Sequence, residues 1–162
     1  MAGFQQQVYL GTPLGVAGDL VGTNPRRSVI PASGGNFVSG TDGVVVGNFA
    51  WIQLDNRSVR NTAVSGVPDG FIARQGQALI TVYLAEAGMT VPQGFGVNLF
   101  ETGDYLFKAN GAAATRGEKV FARLTDGSTT SRPAGTVLAG YVETAFKVSA
   151  GCLADELAIM SL

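Results

Sequence analysis

Residues 119–128 read Lys-Val-Phe-Ala-Arg-Leu-Thr-Asp-Gly-Ser, and the fold class can be worked out from this stretch. Every second residue from Val120 to Leu124 is apolar, and the intervening phase carries Lys119 and Arg123. A period of two is typical of a β-strand with one buried face. The pair Asp126-Gly127 accepts the positive φ of a tight hairpin turn. The stretch therefore predicts a strand followed by a hairpin turn.

The same period of two recurs in 136–148 and in 95–100, which predicts further half-buried strands there. Two other runs, 44–54 and 78–84, are apolar in both phases. Their β-branched and aromatic residues favour strands over buried helices. Strands buried on both faces are typical of a sheet centre, or of a sheet with one face covered by another layer or subunit.

Turn signals separate the strand patterns, and Asp-Gly alone occurs three times. We expect about nine to eleven short strands, which indicates an all-β sandwich or barrel formed as a single domain by residues 1–162. The segment 11–43 is rich in Gly, Pro, Ser and Asn, and predicts long N-terminal loops with at most one strand, near 16–21. Helix is limited to a turn or two at 84–89 and 152–157.

Composition excludes several classes of function. The chain of 162 residues has no histidine, so His-dependent triads and general bases are excluded. It has one cysteine, so no internal disulfide can form. One cysteine without any histidine also leaves no usual set of zinc ligands. Eleven basic and twelve acidic residues give a net charge of −1, which argues against electrostatic capture of nucleic acid or an anionic membrane. We expect no signal peptide and no membrane span.

Catalytic patterns are almost absent. Glu101 and Asp104 could be a carboxylate pair across a cleft, but acids that flank a turn are usually only solvated. Residues 111–119 resemble a phosphate loop with the wrong spacing, because Glu118 follows the second glycine. We interpret Cys152 as a small buried hydrophobic residue rather than as a reactive thiol. We interpret Trp51 as a core residue rather than as a platform for binding a sugar ring. The sequence predicts no enzyme, no cofactor and no metal site.

One charged cluster, the segment from Asn24 to Arg27, is a candidate contact site. Two adjacent arginines in a Pro-containing loop could bind a partner carboxylate with both guanidinium nitrogens. The alternative is a solvated loop charge. Eight of the eleven basic residues are arginine, and arginine is enriched at protein interfaces.

Taken in order, several stretches resemble the structural cement, or capsid-decoration, proteins of tailed bacteriophages. These stretches are GVAGDL at 15–20, TNPRRSV at 23–29, VVGNFAW at 45–51, GVPDGFI at 66–72, QALITVYLAE at 77–86, VPQGF at 91–95, GDYLF at 103–107 and GEKVFA at 117–122. The resemblance covers nearly the whole chain. It implies a jelly-roll-like β-sandwich, without enzymatic activity, that is bound in many copies to the outside of an icosahedral head. It further implies dimers that bridge neighbouring coat subunits.

From the residues and the resemblance together we predict a structural virion protein, made in the bacterial host cytoplasm and placed on the capsid outer surface. Its partners would be the major capsid protein and a second copy of itself, as a dimer or a trimer, with no nucleic acid or membrane. Residues 1–9 would be an arm or an edge strand. The expected coat contacts are Phe4, Gln5, Asn24, Pro25, Arg26 and Arg27. A carbohydrate-binding β-sandwich is the alternative, and a small hydrolase a third option.

Overall fold

A computed structural model describes residues 15–32, 34–75 and 88–162. These residues contain no helix and form fourteen strands. The strands are β1 (Arg27–Ser28), β2 (Phe37–Ser39), β3 (Val44–Val45), β4 (Phe49–Ile52), β5 (Ser58–Arg60), β6 (Gly70–Phe71), β7 (Thr90–Val91), β8 (Gly96–Val97), β9 (Phe100–Thr102), β10 (Tyr105–Lys108), β11 (Lys119–Arg123), β12 (Thr129–Arg132), β13 (Tyr141–Ala150) and β14 (Leu157–Ser161).

The described strands form two main sheets. Seven of them lie in the order β1-β9-β6-β4-β5-β2-β8, and five lie in the order β10-β14-β13-β11-β12. Every pair is antiparallel except β2 with β5, which is parallel. The pair β3-β7 forms a small separate ladder. The all-β, jelly-roll-like sandwich expected from the sequence is confirmed.

The five-stranded sheet curls until its edge strands β10 and β12 lie side by side. Side chains make the closure: the Thr129 hydroxyl donates to the Lys108 carbonyl at 2.6 Å, and the Thr130 hydroxyl donates to the Asn110 carbonyl at 3.0 Å. The backbone N–H and side-chain amide of Asn110 both donate to the Thr129 carbonyl. Three polar side chains thus satisfy backbone groups that a curled sheet would otherwise leave unpaired.

The main core lies between the two sheets and is rich in aromatic rings. Phe71 of β6 packs edge-on against Phe49 of β4 at 5.3 Å between centroids, and its ring lies 5.2 Å from Tyr105 of β10. Phe146 of β13 contacts Phe49 at 5.7 Å from the other side. All four side chains are at most 3% exposed. Aromatic pairs at this spacing bind the two sheets together.

A second core explains the run 44–54, which is apolar in both phases. Phe49 and Trp51 of β4 face the main core, whereas Ala50 faces a second cluster that includes Val44 and Val91 of the β3-β7 ladder. Strand β4 is the central strand of the seven, and it is covered on both sides. The prediction of a doubly buried strand is confirmed for β4, which is separated from β3 by residues 46–48, whereas Leu54 at the end of the run is 89% exposed.

Other local predictions have mixed outcomes. The strand and hairpin at 119–128 are confirmed as β11, a turn and β12, and 136–148 forms a strand only from Tyr141 onward. The expected helical turn at 152–157 is wrong, because the chain makes a plain turn there before β14. In 16–21 only Leu20 forms a β-bridge, to Tyr105. The predicted strand at 78–84 and most of the predicted helical turn at 84–89 lie outside the described residues. The single domain over residues 1–162 also stays a prediction.

Candidate functional site

The arginine-bearing segment runs along one edge of the seven-stranded sheet. Residues 22–28 are exposed throughout, and β1 pairs with β9, where Arg27 lies opposite Thr102. The Arg27 backbone N–H donates to the Thr102 hydroxyl at 2.9 Å, and the Val29 N–H donates to the Leu99 carbonyl at 2.9 Å. The sheet therefore holds the backbone of Arg27, while each residue of the segment keeps part of its surface in solvent.

The two adjacent arginines have different surroundings, and only Arg27 belongs to β1. The Arg27 Nε forms an ion pair with the Glu101 Oε1 at 2.6 Å, with both side chains substantially exposed. The Arg26 guanidinium lies over the ring of Phe100, 5.5 Å from its centroid. Among the described carboxylates none forms an ion pair with Arg26. Of the two, Arg26 is the cation whose charge is left available.

A polar junction ties this segment to the C-terminal strand. Asp104 is a buried residue, 8% exposed. Its Oδ2 accepts from the Asn24 amide at 2.5 Å, and its Oδ1 accepts from the Ser161 hydroxyl at 2.5 Å. The Val21 N–H also donates to the Asp104 carbonyl. Asp104 thereby fixes the path of the chain just before Arg26.

Beside Arg26 lies an open polar cavity of about 660 Å³, which we name the arginine cavity. The residues that line it come from four separate parts of the chain: Arg26, Asn36, Arg74, Gln75, Gly96, Val97 and Asn98. The Asn98 side-chain amide donates to the Gln75 Oε1 at 2.6 Å. Arg74 Nη1 lies 3.4 Å from the Asp19 Oδ1. The described lining holds two guanidinium groups and three side-chain amides, with no carboxylate.

Arg27 belongs to a second, more apolar groove of about 320 Å³ between the two sheets. The groove includes Val67 and Leu162, which are 59% and 50% exposed, and the edge of the buried Phe146. The Arg27–Glu101 ion pair lines the same groove. This groove combines apolar residues with an arginine that is already paired with Glu101. The arginine cavity, in contrast, has a cationic lining.

Three ionisable groups in the described part of the chain have pKa values shifted from their ordinary ones. Burial raises the pKa of Tyr105 to about 12, with nearby Arg26 acting against the rise, and burial also raises the pKa of the Cys152 thiol. Backbone N–H groups of Arg57 and Ser58 lower the pKa of Asp55 by hydrogen bonding to it in a turn. These shifts accompany packing and turn formation.

Other chemistry finds little support in the described part of the chain. Glu101 is paired with Arg27 and both Asp104 oxygens accept hydrogen bonds, so this sequence-predicted carboxylate pair is occupied by structural contacts. Within the described ranges no three Cys, Asp or Glu side chains group as metal ligands would. Nor does any helix there have the length and apolarity to span a membrane. Trp51 is 1% exposed, as expected of a core residue.

A family model described as XM1 gp53 minor capsid protein matches residues 4–162. The chain belongs to this family. It is thus a structural protein of a phage virion, and the resemblance to capsid-associated phage proteins is confirmed at that level. Among solved structures, a chain of the capsid of Myoviridae phage XM1 shares the fold, with a TM-score of 0.62 and 16% identity over 99% of this chain and 97% of that one. No curated protein matches the chain.

The structure of this minor capsid protein places four of the predicted contact residues on the surface: Asn24, Pro25, Arg26 and Arg27. The Asn24 side chain also donates inward to Asp104. Phe4 and Gln5, with the rest of the arm 1–9, lie outside the described residues. The sequence did not single out Arg74 or Asn98 as contact residues. Arg74 follows a run of buried apolar residues, and Asn98 lies between two of them. Neither pattern shows that the residue lines the same cavity as Arg26.

Proposed function

We propose that this capsid protein is a cement, or decoration, protein that binds the outer surface of the head and bridges neighbouring major coat subunits. The observation that carries the proposal is the match of a minor capsid protein family over residues 4–162. The compact double-layer β-scaffold and its exposed arginine segment support it. On this proposal the protein acts by binding alone and has no catalytic role.

Bridging would stabilise the shell by linkage. DNA packed in a filled head presses outward, and the shell opens when coat subunits separate. A protein whose footprint spans two subunits loses its binding free energy when they part, so it favours the closed shell. A footprint of about 1,600 Å² in total is adequate for specific binding. Self-association into a dimer would join two footprints and raise avidity.

The contact surface that we propose centres on the exposed segment from Asn24 to Arg27, with Phe4 and Gln5 of the N-terminal arm as further contacts. The segment is held by β1–β9 pairing and by the Asp104 junction, so little chain entropy would be lost on binding. The near-neutral net charge of −1 fits local contacts better than long-range attraction.

The decisive experiment mixes the purified protein with undecorated heads of the same phage. We expect ordered density on the outer surface at subunit boundaries by electron cryomicroscopy, and a higher melting temperature of the heads. Protein that stays in solution, or that is found only inside the shell, would refute the proposal. Sedimentation of the free protein would show whether it is a dimer or a trimer.

The contact segment has its own test in the double variant Arg26→Glu/Arg27→Glu. We expect the domain to fold and its attachment to heads to weaken by at least about tenfold, since interfacial charge reversal sets like charges against each other. A matched control is Arg57→Glu/Arg116→Glu, which reverses two exposed arginines elsewhere. Equal attachment by both double variants would place the contact surface elsewhere. Deletion of residues 1–7 tests the arm in the same assay.

A further inference from the structure

We propose that the arginine cavity receives an acidic side chain of the coat subunit. This inference rests on the proposed function and deepens it, because it names the chemistry by which the partner is recognised. It assigns the recognition to Arg26 and Arg74 together, which are 48 positions apart in the sequence, and it leaves Arg27 with its own partner, Glu101.

The balance of charge in the cavity is the first argument. The described lining has two guanidinium groups and no carboxylate. Asp19 offsets Arg74 only in part, because one Asp19 oxygen lies 3.4 Å from Nη1 and the other accepts the Val16 N–H at 3.0 Å. Arg26 has no ion pair with any described carboxylate. Among the described residues, the cavity therefore has a net positive charge: Arg26 is without an ion pair, and Arg74 is held only by a long one.

The donors are also fixed before any ligand arrives. The Arg26 guanidinium lies over the Phe100 ring. The Arg74 backbone is held by its N–H bond to the Gly18 carbonyl, and its guanidinium lies 3.4 Å from the Asp19 carboxylate. Asn98 lies on the short link between β8 and β9, and its amide bonds to Gln75. Guanidinium groups held in this way match the two oxygens of a carboxylate, with little side-chain entropy left to lose.

A protein carboxylate fits these features better than a nucleic acid does. Binding of a phosphate backbone needs a row of cations that follows the strand, and the strength of such binding grows with their number. Here two guanidinium groups face one cavity of about 660 Å³, on a chain with a net charge of −1. A single acidic side chain, inserted between the arginines and capped by the amides of Asn36 and Asn98, satisfies this arrangement.

The sharpest test is a gain of affinity. Asp19→Asn removes the partial neutralisation of Arg74, so we expect attachment to undecorated heads to tighten roughly two- to fivefold at low salt, with the gain fading at high salt. The matched control is Asp42→Asn, which frees Arg60 from an ion pair of the same 3.4 Å length outside the cavity, and which should leave attachment unchanged. Damage to the fold would not tighten binding.

Loss variants complete the test. Arg26→Glu and Arg74→Glu should each weaken attachment by about tenfold or more, while Arg26→Lys should fall between Arg26→Glu and the wild type because it keeps the charge but loses the forked donor. Normal attachment of Arg74→Glu to heads would overturn the inference, and so would equal attachment of Asp19→Asn and Asp42→Asn. The proposed function would still stand in both cases, provided that the wild-type protein attaches. Absence of wild-type attachment would overturn both. Stronger binding of single-stranded DNA than of heads would also overturn the inference, in favour of a phosphate ligand.

Discussion

The two main sheets reach stability in different ways. The five-stranded sheet contains the ten-residue strand β13 and closes on itself through side-chain bonds from Asn110, Thr129 and Thr130. In the seven-stranded sheet no strand exceeds four residues, one pair is parallel, and the candidate contact residues lie on its edges and links. The difference indicates a scaffold of longer strands, all from residues 105–161, beside a sheet of short strands that come from residues 27–102.

The aromatic core between the sheets offers the largest test of this comparison. Phe71→Ala removes a fully buried ring that contacts both Phe49 and Tyr105, so we expect the free energy of unfolding to fall by about 3–5 kcal/mol. Phe95→Ala, at a ring that is 51% exposed, should cost less than about 1 kcal/mol. Denaturant unfolding measures both. Separate transitions for the two sheets, with Phe71→Ala shifting only one, would show that they fold independently.

The hairpin turn of β11 and β12 offers the next test, because it contacts the other sheet. The Phe49 N–H donates to the Gly127 carbonyl at 2.9 Å, and a Cβ on Gly127, at φ +67°, would collide with the Phe49 carbonyl oxygen. We expect Gly127→Ala to lower the free energy of unfolding by about 2–4 kcal/mol.

Gly111→Ala is the matched control for Gly127→Ala. Gly111 has nearly the same φ, +71°, but a Cβ there would meet nothing within 4 Å. Only the backbone strain remains, about 1 kcal/mol. Thermal or denaturant unfolding measures the free energy of unfolding of both variants. If Gly127→Ala and Gly111→Ala lower it equally, the turn does not pack closely against β4.

The smallest expected effect is a dependence on high pH. Burial raises the pKa of Tyr105 to about 12 from its ordinary value of 10. Below pH 10 the tyrosine is neutral in both states, and above it the unfolded state ionises first. The unfolding midpoint should therefore hold up to pH 10 and fall between pH 10 and 12. Tyr105→Phe should flatten this fall, and it should remove a late-titrating component from the absorbance at the phenolate band. An identical fall in the variant would assign the effect to another group.

The five-stranded sheet was predictable from sequence in its β11–β13 part, because the signals there are local, whereas β10 and β14 were not predicted. Period-two alternation and an Asp-Gly turn are enough to give β11, the hairpin and most of β13. The double burial of β4 was also predictable, since 44–54 is apolar in both phases. The closure by Asn110 was not, because nothing near Asn110 in sequence shows that β12 curls back to it.

The candidate site was predictable only at Arg26 and its neighbours. The arginine cavity depends on the strand order of the seven-stranded sheet, which brings Arg74 and Asn98 beside Arg26. Such an order follows from long-range packing, and a pattern of residues along the chain does not encode it. The inward bond from Asn24 to Asp104 was missed for the same reason, as the two residues are 80 positions apart.

The closed five-stranded sheet has a consequence for solubility. Unpaired strand edges act as templates for aggregation, above all when many identical chains are crowded together. Here β10 and β12 cover each other, and residues 18–21 bond along the remaining part of β10. The longest strands of the described chain therefore offer little free backbone to a neighbouring copy. The closure thereby guards this sheet against edge-to-edge pairing between copies of the chain.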